Sequence, residues 1–142
     1  MEPLDLTKHP PRSPRETLAG LTWLPRTVDK MRALLPGGNI GSYNLPGSST
    51  RMLTAIGIEP DQLQAVVARA KSEDEVGNWV LAHTDSSKFG DMNKAAAERS
   101  INDIEPERRA RFAEMYPHHA TVSSGLIFDI IDHDDAKLFG NV

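Results

Sequence analysis

Between Ser13 and Gly37 the apolar residues Leu18, Leu21, Leu24, Val28, Met31 and Leu35 recur at spacings of three and four. That interval lays a stripe along one face of an α-helix and fits no strand. The stretch, SPRETLAGLTWLPRTVDKMRALLPG, also carries boundary signals. Ser13 suits a cap, Pro14 suits the first helical position, and Glu16 can reach back as the partner of a capping box. Pro36-Gly37-Gly38 ends the run. Pro25 removes a backbone donor and crowds the carbonyl of Leu21, so the pattern predicts a kinked helix or two abutting helices over 13–35.

The same reasoning carries along the chain. Residues 1–12 are predicted to be extended, because Pro10 and Pro11 block helix and push His9 out of the helical region. The loop 37–50, GGNIGSYNLPGSST, is rich in glycine and serine and long enough to carry function. Ser49 or Thr50 caps a short helix that Gly57 stops. Pro60 opens a helix with Leu63, Val66, Val67 and Ala70 on one face. Ser72 and Glu75 form a capping box ahead of Val76, Trp79, Val80 and His83. A polar helix is expected over 86–100, and another from Pro106 to the residue before Pro117. The segment SSGLIFDIIDHDDAKLFG fits helix or strand, with the spacing of Ile127, Ile131 and Leu138 favouring helix.

With no alternating strand and no internal repeat, the expected fold is all-α. The 142 residues form a single domain, a compact bundle of six or seven short helices behind a Pro-rich extended N-terminal arm. The sequence contains no cysteine, which excludes disulfides and thiolate chemistry and fits a reducing compartment. A net charge of −4 gives no global attraction to nucleic acid or to an anionic membrane. No apolar run is long enough for a signal sequence or a membrane span. A soluble cytoplasmic protein is the expectation.

On a helical wheel Leu21, Leu24, Val28, Met31 and Leu35 fall together, while Trp23, Arg26 and Lys30 fall on the far side. Two readings of that second face compete. In one, Trp23 packs under a neighbouring element and the two cations pair with surplus acids. In the other, Trp23, Arg26 and Lys30 form a platform for an anion, with Arg12, Arg15 and Tyr43 at its rim. Guanidinium forks and a helix N-terminus both favour carboxylate or phosphate.

The segment DLTKHPPRSPRETLAGLTWLPRTVDKMRALLPG closely resembles the N-terminal signature of a bacterial family of domains of unknown function, the family numbered 5069. The likeness continues through Gly41, Tyr43, MLTAIGI at 52–58 and DEVGNWV at 74–80, and returns in ERRARFAEMYP and FDIIDHDD. The loop NLPGSST and the tail AKLFGNV depart from the pattern. The resemblance implies a small soluble protein and brings no reaction with it.

Other constellations are weaker. His118, His119, Asp129, Asp132, His133, Asp134 and Asp135 are metal-ligating types, but their spacing matches no standard zinc or calcium motif. No serine sits in a nucleophile elbow, and PGGNIGS lacks the lysine of a phosphate loop. The functional expectation is a non-catalytic protein binding a small anionic metabolite or an acidic partner segment, with no cofactor. The alternative is a cofactor-independent enzyme in the same pocket, with Tyr43 or a histidine moving protons. A metal-dependent hydrolase on His118, Asp129 and Asp132 comes last.

Overall fold

The structure is a computed structural model that describes residues 1–45 and 47–140; Pro46 in the glycine-rich loop and the last two residues of the tail lie outside them. Among the described residues there are seven α-helices and one two-stranded hairpin. The strands are β1 (Thr17–Leu18) and β2 (Leu21–Thr22). The helices are α1 (Leu24–Ala33), α2 (Ser48–Ala55), α3 (Pro60–Arg69), α4 (Glu73–His83), α5 (Phe89–Glu98), α6 (Pro106–Met115) and α7 (Ile127–Leu138). The helical class and the number of helices agree with the sequence expectation. No helix among the described residues is long and apolar enough to cross a membrane.

The expected helix over 13–35 is corrected: its first half is a hairpin. Leu18 pairs with Leu21 and Thr17 with Thr22, across a turn in which Ala19 (φ 55°) and Gly20 (φ 81°) are both left-handed. Two positive φ values at the turn centre are what a tight two-residue hairpin requires. Ser13 caps no helix; its hydroxyl accepts the Arg15 N–H in a local turn. Pro25 neither kinks nor interrupts. It stands in the first turn of α1, where its missing N–H costs nothing. Trp23 precedes it with φ 71°, a left-handed conformation that costs a non-glycine residue about 1 kcal/mol or more. Asn93 of α5 locks the arrangement: it accepts the Thr22 N–H (2.9 Å) and hydroxyl (3.0 Å) and donates to the Gly20 carbonyl (2.8 Å).

From Leu24 onward the predicted stripe is the core. Leu24, Val28 and Met31 are fully buried, together with Leu53 of α2, Leu63 and Val67 of α3, and Val76 and Val80 of α4. Phe128 and Ile131 of α7 close the far side. Helix α1 is therefore central, packed on α2 and α3, with α3 packed on α4 and α5 on both the hairpin and α7. The N-terminal segment, expected to be an extended arm, lies along the fold and turns after Asp5, whose carbonyl accepts the Lys8 N–H. Leu6 is buried, and residues 4–6 run beside Asn39, with Leu6 donating to the Asn39 carbonyl and Asn39 to that of Leu4.

Gly38 shows how tightly the chain turns after α1. A Cβ on Gly38 would lie 2.5 Å from the Ala33 carbonyl oxygen, a backbone atom that cannot step aside. Gly38→Ala is expected to destabilise the protein by roughly 1–3 kcal/mol, the usual cost of overpacking, in urea unfolding. An unchanged midpoint would show that the turn relaxes freely.

Candidate functional site

The six residues singled out in the sequence do not converge on one surface. Arg12 is a clamp on α1: its Nε and Nη2 both reach the Asp29 carboxylate at 3.0 Å, its backbone N–H donates to Asp29 at 2.8 Å, and Nη2 also pairs with Glu73. Burial opposes the charge on Arg12, but the Glu73 and Asp29 carboxylates outweigh it and hold the guanidinium firmly protonated. Arg15 pairs with Asp129 and Asp132 of α7 and lies over the Phe128 ring. Two of the three residues proposed for a metal-dependent hydrolase are thus engaged by an arginine. Among the described residues no group of three or more histidine, aspartate and glutamate side chains converges as a metal site would need.

Arg26 is wholly buried. Its Nη1 donates to Asp135 Oδ2 at 2.7 Å and to the Arg12 carbonyl at 3.2 Å. Tyr43 crosses from the loop after α1 to donate its hydroxyl to Asp135 Oδ1 at 2.8 Å, with its ring against the Arg26 guanidinium. Burial and the Asp135 charge push the Tyr43 phenol well above its usual range, so it stays a donor. This trio joins α1, the loop and α7 by satisfying opposite charges inside the protein.

Trp23 and Lys30 are different. Trp23 is 7% exposed and packs edge-on against Phe128, with ring centroids 5.9 Å apart, yet it also borders a cavity. Lys30 stands one turn beyond Arg26, is 5% exposed and borders the same cavity. Among the described residues it makes no salt bridge and no side-chain hydrogen bond. Burial, reinforced by the neighbouring Arg26 charge, pulls its amine down to about 7, against an ordinary 10.5. A buried lysine without a carboxylate partner is an expensive feature.

The cavity holds about 340 Å³. Lys30 is joined there by Arg51 from the first turn of α2, Arg99 at the end of α5, and Arg108 and Arg111 on one face of α6. Among the described residues no aspartate or glutamate borders it, although acids outnumber bases in the chain by 20 to 16. Arg99 is held below the usual arginine range by burial first and then by Arg51, so the guanidinium groups repel one another. Arg51, Arg99 and Arg111 have no carboxylate partner among the described residues, and Arg108 has only a loose contact of 3.9 Å with Glu105. The N-terminus of α2 lies at the wall, where Ser49 is 2% exposed and its Oγ is buried without a hydrogen-bond partner. Tyr116 and Phe112 complete one side. No histidine of the described residues borders it.

The arginines of α2, α5 and α6 were missed in the sequence because they lie far apart along the chain. The available signal was ERRAR, in which Arg108 and Arg111 are three apart and so share a helical face.

The model of the Domain of unknown function (DUF5069) matches residues 8–137, and the chain belongs to that family. No curated protein matches the chain. The family's description assigns no activity, so the chemistry of the cavity carries the functional reading.

Proposed function

We propose that this protein binds a small anion, a phosphate or carboxylate compound, in the cavity walled by Lys30, Arg51, Arg99, Arg108 and Arg111. The observation that carries the reading is the one-sided charge: among the described residues, five basic side chains and no acidic one line a recess in an acidic protein. Unpaired like charges in a partly buried space raise the energy of the empty protein, and an anion relieves them. Ser49 Oγ and the start of α2 supply neutral donors of the kind that suit an anion's oxygens. Trp23 forms one wall. Arg26 and Tyr43 act behind the site by fixing α1 against α7, while Arg12 and Arg15 anchor the approach to the hairpin.

A second reading has one observation in its favour. An amine held near 7 can take and return a proton at neutral pH, so Lys30 suits a cofactor-independent enzyme acting on a small anionic substrate in the same cavity. Tyr43 is the weaker proton carrier, because Asp135 holds its hydroxyl protonated.

Titration calorimetry with inorganic phosphate and with sulfate tests the binding reading. Saturable binding is expected, weakening with salt, and Arg99→Ala is expected to lower affinity by about tenfold or more, the usual loss for one charge-assisted contact. Absence of saturable binding, or equal binding by an Arg51→Ala/Arg99→Ala variant that unfolds like the parent, would sink it.

A further inference from the structure

The cation-lined cavity shares its border with a second recess. Trp23, Ser48, Arg51, Arg99 and Ile127 line both. The second recess holds about 240 Å³ and runs between the hairpin, α2 and α5. Its remaining walls among the described residues are Leu21, Thr22, Met52, Ala55, Met92, Ala95 and Ala96, which carry no charge. Three alanines keep the groove open where larger side chains would fill it, and two methionines give it an adaptable lining.

We propose that the ligand is a single-chain amphiphile: an anionic phosphate or carboxylate head seated among Lys30, Arg51 and Arg99, and an unbranched apolar tail lying in the groove between Met52 and Ala95. This rests on the anion-binding reading above and adds the chemical class of the ligand. Arg51 and Arg99 stand where the two spaces meet, so a head group held by them has the cationic cavity on one side and the apolar groove on the other. The ligand is a free monomer. A membrane-docking face would surround the groove with exposed large apolar side chains, whereas the large hydrophobics exposed among the described residues, Leu34, Leu81 and Leu138, all lie outside it.

The test is a chain-length series by calorimetry, from inorganic phosphate through methyl, butyl, hexyl, octyl and decyl phosphate, kept below micelle formation. Affinity is expected to rise about fourfold per methylene until the groove is full and then level off. Ala95→Trp, from an exposed position on the groove wall, is expected to flatten that rise while leaving inorganic phosphate within twofold; Ala55→Trp tests the opposite wall if the first variant unfolds early. Phosphate binding with no gain from the chain overturns the amphiphile and leaves the anion site standing. No phosphate binding at all overturns both. Binding to anionic phospholipid vesicles without saturable binding of the monomeric series overturns the free-monomer assignment.

Discussion

Asp135→Ala is expected to cost about 3–5 kcal/mol in urea unfolding, the loss that follows when one partner of a buried ion pair is removed. Arg26 is 0% exposed, and Asp135 is the carboxylate that receives it. The variant therefore leaves a guanidinium in the interior with only the Arg12 carbonyl to accept from it, and strands the Tyr43 hydroxyl as well. Arg26→Met alone is expected to be similarly harmful, because Asp135 is then the uncompensated charge. The double variant Arg26→Met/Asp135→Leu should recover most of the loss, since well-packed apolar residues commonly replace a buried pair at little cost. The same substitutions reach the cavity through Lys30, whose amine feels Arg26 and Asp135 in opposite senses. Removing Arg26 should raise its pKa and removing Asp135 should lower it, both readable by NMR of the lysine side chain. Parental stability for Asp135→Ala would mean that water reaches Arg26, and the tie between α1 and α7 would lose its importance.

The elements that were legible in the sequence are those whose signals are local. Pro60, the Ser72–Glu75 cap and Pro106 each mark the start of a helix within one turn, and α3, α4 and α6 begin there. Residues 13–23 misled because the three-residue spacing of Leu18 and Leu21 serves a hairpin as well as a helix: the two side chains meet across the Ala19–Gly20 turn instead of stacking along one face. Gly20 is the competing signal for a turn, and Pro25, which reads as a kink within a long helix, instead marks the first turn of one that starts at Leu24. The far side of the wheel supports both packing and an anion platform, and local pattern alone cannot choose between them. Its residues were placed correctly relative to Leu24, Val28 and Met31, yet Arg26 is buried, because α7 brings Asp135 over it from 109 positions away. Local periodicity cannot register a cover supplied by a distant helix. For the same reason Trp23 and Lys30 could be named from the sequence, but not the arginines of α2, α5 and α6 that complete their cavity.

Lys30→Met is expected to make the protein more stable and its anion site weaker. The sign follows from the proton count. Unfolded, the amine titrates at its ordinary 10.5; folded, burial and Arg26 bring it to about 7. Between those values the unfolded chain holds more protons, so parental stability rises with pH across that window. Below neutral pH the charged amine must be buried and the penalty is complete, roughly 3 kcal/mol once partial hydration is allowed for. The variant should show that gain in acid and a nearly flat profile through the window. Anion binding runs the other way, because a bound anion supplies the counter-charge that Lys30 lacks and so draws a proton onto it. Sulfate, which does not itself titrate near neutrality, should therefore bind most tightly below pH 7 and lose up to tenfold per unit above it, with proton uptake visible as a buffer-dependent binding enthalpy. In Lys30→Met the proton uptake should vanish and affinity should fall at least tenfold. A parental protein whose stability is flat from neutral pH to 10, or whose sulfate binding takes up no proton, would show that the Lys30 amine is hydrated and ordinary, and the cavity would lose its pH-sensitive member.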